Sequence, residues 1–268
     1  MDDLYVVRDL KLSFPDLAHK PLFGAAPRID ILHGLSFGIR RGEVLGIVGG
    51  SGSGKSTLGR VLVRLLEPSG GEVMFDGQDI THLGEDALRP LRRRFQMIFQ
   101  DPMSSLNPRR TVGAIIAGPL QLHGFDHVPA RVDQALDHVG LPRAFGSRYP
   151  HELSGGQRQR VGIARAIAMQ PEFILADEIV SGLDVWSQAQ VLKLLADLVR
   201  DLGLTLAWAT PITGIAQLAL VWWDAARNGW RLVPRRPRLT PDMKRLLTIA
   251  LPAIFAGGVV QVNLLVGR

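Results

Sequence analysis

Apolar and polar residues follow two different periods along residues 1–203. Apolar and β-branched runs between turn residues predict strands at 4–14, 35–48, 70–80, 95–100 and 173–176. Apolar residues spaced three and four apart predict helices at 56–66, 86–94, 111–139, 155–169 and 188–201. Because the strands alternate with helices, the expected fold class is α/β with a mainly parallel sheet.

The pattern changes after Gly203. Residues 204–223 and 246–267 carry no charged side chain. As helices they would each be about 30 Å long or slightly more, which matches the hydrocarbon core of a bilayer and predicts a tail with two membrane helices. The alternative is that residues 204–209 form a further buried strand, since short apolar runs fit either structure. The expected domains are therefore 1–203 and 204–268.

The net charge of +6 arises entirely in this tail. Through Gly203 the chain has 23 Lys and Arg against 23 Asp and Glu, whereas the remaining residues include eight basic and two acidic ones. A basic excess among apolar segments is typical of membrane-facing sequence, so no nucleic-acid partner is expected. The absence of cysteine excludes disulfides, thiol catalysis and thiolate metal sites. No secretory signal is evident in MDDLYVVRDL, which favours a cytoplasmic location for the N-terminal part.

The segment GGSGSGKST, residues 49–57, follows an apolar strand and opens a helix, as phosphate-binding loops do. Glycines let backbone N–H groups point at phosphates, Lys55 reaches the β and γ oxygens, and Ser56 offers its hydroxyl to Mg²⁺. A flexible glycine turn is the alternative. The residues expected to contact the nucleotide phosphates are Gly49, Ser51, Gly52, Gly54, Lys55, Ser56 and Thr57.

Two carboxylates end the apolar run FILADE, residues 173–178. Asp177 is expected to hold Mg²⁺ and Glu178 to polarise an attacking water, which is the division of roles that phosphoryl transfer to water requires. Apolar strands that end in acidic residues are common without such a role. The two carboxylates indicate phosphoryl transfer only because the same chain also contains the phosphate loop.

A second glycine turn, LSGGQRQR at residues 153–160, opens a helix. Ser154 and the helix dipole together make a candidate second site for an anion. A generic helix N-cap explains Ser154 and Gly155 equally well.

The motifs GGSGSGKST, FQDP, LSGGQ, FILADE and SGLD occur here in the order and spacing of ABC-transporter ATPase subunits. The longer runs MIFQDPMSSLNPRRTVG and RYPHELSGGQRQRVGIARAIAMQPEFILADE resemble the peptide and nickel importer branch of that family. The resemblance covers roughly residues 4–203. It implies a P-loop NTPase fold with a helical LSGGQ subdomain, truncated at its C-terminal end and followed by the α-helical hydrophobic tail.

This resemblance implies an ATPase that uses ATP and Mg²⁺. Glu178, Lys55 and Gln100 would act in catalysis, and Ser56, Gln100 and Asp177 would hold the metal. The resemblance also implies a location at the cytoplasmic face of the plasma membrane. There the chain would take part in the transport of a solute that cannot be identified from the ATPase sequence.

The resemblance further implies a dimer, of identical or different subunits, that drives separate transmembrane permease subunits. ATP would lie between the phosphate loop of one subunit and the LSGGQ turn of the other, where Ser154 and Gly156 would contact the γ-phosphate. Gln100 would couple Mg²⁺ to the permease, and Asp184 would organise the dimer seam. Phe14 is either an adenine-stacking aromatic or an ordinary core residue.

The tail departs from the family. The position of its γ-phosphate histidine falls at or near Pro211, which has no proton to donate, and loss of such a group costs about 10²- to 10⁴-fold in rate. Residues 204–268 instead resemble an internal stretch of the lipid II flippases, through PRLTPDMKRLL followed by an apolar run. The basic loop between the two predicted spans conflicts with a cytoplasmic ATPase. The alternative function is therefore a truncated or chimeric nucleotide-binding chain with impaired turnover and a membrane-associated tail.

Overall fold

A computed structural model describes residues 3–20, 24–50, 52–99, 105–179, 185–211 and 265–266. The strands are β1 Asp3–Pro15, β2 Arg28–Arg40, β3 Val44–Gly49, β4 Gly70–Phe75, β5 Gln78–Asp79, β6 Phe95–Ile98, β7 Phe173–Asp177, β8 Thr205–Pro211 and β9 Leu265–Val266. The α-helices are α1 Lys55–Leu62, α2 Glu85–Leu88, α3 Val112–Leu122, α4 Val128–His138, α5 Gly155–Ile167 and α6 Val185–Leu202. Short 3₁₀ turns occupy Leu91–Arg93, Arg143–Ser147 and Pro150–Glu152.

Within the described residues the strands form two sheets. One is antiparallel with the order β2-β1-β4-β5, and the other has the order β6-β7-β8-β3-β9. In the second sheet β6, β7, β8 and β3 are parallel, and β9 pairs with β3 antiparallel. The predicted α/β class with a mainly parallel sheet is therefore confirmed.

Two hydrophobic cores hold these layers together. One lies among α3, α4, α5, α6 and the parallel sheet, and the other lies between the two sheets around α1. In the second core the Tyr5 ring packs 4.9 Å from Phe75 and 4.7 Å from Phe173. The Tyr5 hydroxyl donates to the Leu62 carbonyl at 3.1 Å, and burial raises the pKa of this phenol. This core fixes the position of α1 against both sheets.

A four-charge network joins the two sheets at the start of β7. Arg41 and Arg94 each bind both Asp76 and Glu172, and the Arg94 guanidinium lies 4.9 Å from the Phe75 ring centre. Hydrogen bonds from Arg94, followed by those from Arg41, lower the pKa of both carboxyl groups. The network therefore favours the charged form of every member.

Residues 205–211 correct the sequence-based expectation for the tail. They form β8, which pairs with β7 on one side and with β3 on the other, so the predicted membrane helix over 204–223 is wrong at its beginning. Residues 204–209 are buried throughout, and a parallel strand covered on both faces reads as a continuous apolar run. The alternative of a further buried strand is confirmed.

No helix in the described parts of the chain is long and apolar enough to cross a membrane. The second predicted span, 246–267, lies outside the described residues except at Leu265–Val266, which form a strand rather than a helix. The whole of the basic loop between the spans lies outside them as well.

Several predicted boundaries shift for local reasons. α1 ends at Leu62, ahead of the expected residue 66, because Arg64 adopts a left-handed φ of 51°. The helix predicted over 111–139 divides at Gly124, whose φ is 67°. β2 begins at Arg28, earlier than the alternation predicted, because it pairs with β1 over the whole strand.

Candidate functional site

The segment between β3 and α1 wraps around the start of the helix. Gly52 and Gly54 have φ values of 77° and 85°, which L side chains rarely adopt. A Cβ at Gly54 would lie only 3.2 Å from Ile31 Cγ2 and 3.3 Å from the Ile31 carbonyl. Glycine at this position therefore allows both the turn and the close packing that place the loop at the N-terminus of α1.

Lys55 is the charged group of this loop. Its side chain is buried, and its ammonium donates to the Gly49 carbonyl at 3.0 Å and the Gly50 carbonyl at 2.7 Å. Glu178 Oε1 lies 4.0 Å from the same nitrogen. A cation held by neutral carbonyls at a helix N-terminus is placed to bind an anion, since the helix dipole favours negative charge there.

The Ser56 hydroxyl connects the loop to the end of β7. It donates to Asp177 Oδ1 at 2.8 Å, and Asp177 is 3% exposed. Glu178 follows in a left-handed conformation with φ 47°, and its backbone N–H donates to the Ala209 carbonyl at 2.9 Å. The phosphate loop and both carboxylates thus lie together in the structure, and the roles predicted for Asp177 and Glu178 stay predictions.

These residues suit a nucleoside triphosphate with a divalent cation. The buried Lys55 ammonium is a counter-charge for phosphate, and the oxygens of Ser56 and Asp177 are of the kind that Mg²⁺ prefers. The described residues contain no cluster of three His, Asp or Glu side chains that could hold a metal alone. Magnesium usually combines one or two protein ligands with phosphate oxygens, which agrees with this donor set.

The LSGGQ turn forms a complete capping box. The Ser154 hydroxyl accepts from the Gln157 N–H at 3.3 Å, and the Ser154 N–H donates to Gln157 Oε1 at 2.9 Å. The N-cap interpretation of Ser154 is therefore confirmed, and its contact with phosphate stays a prediction. A Cβ at Gly156 would lie 3.7 Å from Ser187 Oγ, so this turn lies beside the start of α6, a neighbour that the sequence pattern did not indicate.

Phe14 is not an ordinary core residue, because 40% of it is exposed. It lies opposite Ile29 in the β1–β2 ladder, and Ile31 on β2 packs against Gly54 of the phosphate loop. The adenine-stacking role of Phe14 stays a prediction. Ile29 and Ile31 lie outside the strands that the sequence predicts, so nothing in the pattern places them beside this loop.

Three sequence-predicted site residues, Ser51, Gln100 and Asp184, lie outside the described residues. Gly49 lies opposite Pro211 in the β3–β8 pairing, so the position expected for the missing histidine is at the strand end next to the phosphate loop. Thr57 is half-buried on α1, one residue beyond Ser56.

A family model described as ABC transporter matches residues 32–181. The chain belongs to the ABC transporter family. Among curated relatives of this ABC protein, a putative peptide import ATP-binding protein of Brucella ovis is 52% identical over 181 residues, covering 66% of this chain and 57% of its own length. The oligopeptide transport ATP-binding protein AppF of Bacillus subtilis is 48% identical over 207 residues, covering 74% of this chain and 61% of its own length.

Solved structures give the same family. The cassette MJ0796 bound to ADP and Pi, in a dimeric post-hydrolysis state, is 30% identical with a TM-score of 0.66, covering 77% of this chain and 87% of that one. For cbiO1 from Clostridium perfringens the identity is 30% and the TM-score 0.68, covering 81% of this chain and 82% of that one. The ABC chain spans less than two thirds of the curated relatives' length. The comparisons give no support to a lipid II flippase relationship for residues 204–268.

Proposed function

We propose that this ABC protein is the ATP-binding and ATP-hydrolysing subunit of an importer for peptides or nickel. The observation that carries the proposal is the contact between the phosphate loop and the end of β7. There Ser56 donates to Asp177, and Lys55 lies 4.0 Å from Glu178. The two relatives named above supply peptide import and oligopeptide transport as the solute classes, whereas nickel comes from the motif resemblance alone.

The described side chains have separate roles in this proposal. The loop glycines direct backbone N–H groups at the phosphates, and Lys55 exchanges its bonds to the Gly49 and Gly50 carbonyls for phosphate oxygens. Glu178 accepts the proton of the attacking water at its carboxylate. Bound with the nucleotide near Ser56 and Asp177, Mg²⁺ supplies positive charge against the charge that develops on the phosphates.

The proposed active form is a dimer, of identical or different subunits. Ser154 and Gly156 of one subunit complete the site of the other, Gln100 couples that site to the permease, and Asp184 organises the seam. In support, MJ0796 is described as a dimeric cassette with ADP and Pi. The capping box also leaves Ser154 exposed at the N-terminus of α5, where a phosphate from a second subunit can approach.

Permease subunits of the cytoplasmic membrane are the second proposed partner, with the ATPase peripheral on the cytoplasmic face. A cavity of about 520 Å³ lies at the end of β6, and its lining includes Leu65, Phe99, Ser105 and Arg165. Leu65 and Phe99 are 48% and 39% exposed, so this cavity offers apolar surface to a partner. No nucleic-acid partner is proposed.

The alternative, a nucleotide-binding chain with impaired turnover and a membrane-associated tail, is favoured by one observation. Pro211 ends β8 opposite Gly49, at or near the position expected for the histidine of the resembled family, and proline has neither a side-chain proton to donate nor a backbone N–H. Such a chain would bind ATP and release phosphate slowly.

Phosphate release from ATP by the purified full chain, with and without Mg²⁺, tests both functions. Mg²⁺-dependent release that Glu178→Gln abolishes supports the importer ATPase, whereas ATP retention without release supports the alternative. Glu72→Gln is the matched control, because that carboxylate is 55% exposed on β4 and pairs with Arg8. If the alternative holds, Pro211→His raises turnover, by up to about 10²- to 10⁴-fold.

A further inference from the structure

Gly59 lies buried in the middle of α1, where the backbone does not require a glycine. Its φ is not positive, so an L side chain fits its conformation. Glycine is also less favourable than alanine in a helix interior, because it loses more backbone freedom on folding. The space beside the residue therefore explains this glycine better than its conformation does.

The space beside Gly59 is occupied by Leu175 of β7. A Cβ at Gly59 would lie 2.6 Å from Leu175 Cδ2, 3.1 Å from Cδ1 and 3.3 Å from Cγ. Leu175 is fully buried, and in the sheet it lies between Met97 of β6 and Ala207 of β8. Carbon atoms in contact stay about 3.5–4.0 Å apart, so a methyl group on Gly59 would push α1 away from β7 by up to about 1 Å.

The contact between the phosphate loop and β7 lies on the same two faces. Ser56 precedes Gly59 by three residues, so both lie on one face of α1. Asp177 follows Leu175 by two residues, so both lie on one face of β7. The Ser56 hydroxyl donates to Asp177 Oδ1 at 2.8 Å, and a displacement of about 1 Å would break that bond. The close approach of Gly59 to Leu175 thus sets the separation of the two oxygens.

We infer that Gly59 is a positioning residue for Mg²⁺, because it lets α1 approach β7 closely enough to hold the Ser56 and Asp177 oxygens at a fixed separation. Mg²⁺ requires near-ideal octahedral geometry, whereas Ca²⁺ accepts a more flexible arrangement. The packing at Gly59 thereby favours Mg²⁺ over Ca²⁺. Lys55 depends less on this separation, since its ammonium is a point charge on a flexible stem. The inference rests on the proposed nucleotide site and adds a residue that sets its metal preference.

Calorimetric titration of the full chain with ATP tests this inference, with Glu178→Gln as the background that prevents turnover. Each Kd is measured in Mg²⁺, in Ca²⁺ and in chelator without metal. Gly59→Ala should reduce the factor by which Mg²⁺ strengthens ATP binding by about tenfold or more, as loss of groups that orient metal ligands does. The factor for Ca²⁺ and the Kd in chelator should each change by less than about threefold.

Gly162→Ala is the matched control, because this buried glycine also lies within a helix, α5, and a Cβ there would meet nothing within 4 Å among the described residues. It should change none of the three Kd values. Leu175→Val removes both Cδ atoms that a Cβ at Gly59 would meet. The double variant Gly59→Ala/Leu175→Val should therefore fold and recover the Mg²⁺ factor to within about threefold of the background, even where Gly59→Ala alone does not fold.

Three results would overturn the inference and leave the proposed function standing. The first is a Gly59→Ala chain that keeps the full Mg²⁺ factor. The second is an equal loss of affinity in Mg²⁺, Ca²⁺ and chelator, since the methyl group would then act on the phosphate loop or the fold as a whole. The third is a double variant that does not fold or does not recover the factor. Failure of the background chain itself to bind ATP in any of the three conditions would instead overturn the proposed function, and the inference with it.

Discussion

Removing the Ser56 hydroxyl should destabilise the ligand-free protein, because the bond to Asp177 is made at 2.8 Å to a carboxylate that is 3% exposed. A hydrogen bond to a charged group contributes about 1.5–3 kcal/mol to stability. Without the Ser56 hydroxyl, the Asp177 carboxylate would stay buried with one hydrogen bond fewer. We therefore expect Ser56→Ala to lower the free energy of unfolding by about 1.5–3 kcal/mol. Ser56→Thr keeps the hydroxyl and should recover most of that loss.

A double-mutant cycle isolates the contact. The free energy of unfolding is measured by urea denaturation, in chelator and without nucleotide, for wild type, Ser56→Ala, Asp177→Ala and the double variant. A coupling free energy of about 1.5–3 kcal/mol is expected, since residues in contact are not additive. If the two single effects add within about 0.5 kcal/mol, the contact does not exist in solution and the geometry of the proposed metal site is wrong.

Three further predictions concern the charge network, the glycines and the loop lysine. Arg94→Met should destabilise the protein at pH 7, because Arg94 lowers the pKa of its carboxylate partners. That stabilisation is fully present above the ordinary carboxyl pKa of about 4 and is lost as the pH falls from there through the lowered pKa values, so the difference between the variants should shrink over that window. A pH-independent difference would contradict this. Gly71→Ala should cost at least about 2 kcal/mol more than Gly77→Ala in urea denaturation. Both glycines have positive φ, but a Cβ would lie 2.3 Å from the Asp9 carbonyl at Gly71 and meet nothing within 4 Å at Gly77; equal costs would contradict the packing. Lys55→Met should weaken ATP binding by about 10- to 150-fold, measured by calorimetry, and retained affinity would remove Lys55 from the phosphate site.

The loop and the end of β7 could be predicted from sequence because each is a local pattern. GGSGSGKST places glycines where positive φ occurs, and FILAD reads as a strand buried on both faces, as it is. Residues 204–209 could not be assigned in the same way. Their burial comes from β3 and β7, which are distant in sequence, so the apolar run alone fits a membrane helix and a buried strand equally well.

Contacts at the site between residues distant in sequence could not be predicted either. The position of Ser187 beside Gly156 depends on how α6 packs against α5, and no spacing within either helix encodes it. Phe14 is the converse case. Its residue type fits a hydrophobic core, but in the folded chain the ring lies opposite Ile29 in the β1–β2 ladder and is 40% exposed.

The most direct test of the central claim is a crystal structure of the Glu178→Gln chain with ATP and Mg²⁺. The triphosphate should lie against the loop that contains Lys55, with Mg²⁺ between the phosphates and the Ser56 hydroxyl and Asp177 beside it. A triphosphate bound elsewhere, or a chain that takes up no nucleotide at concentrations that saturate related ATPases, would contradict the assignment of this junction as the nucleotide site.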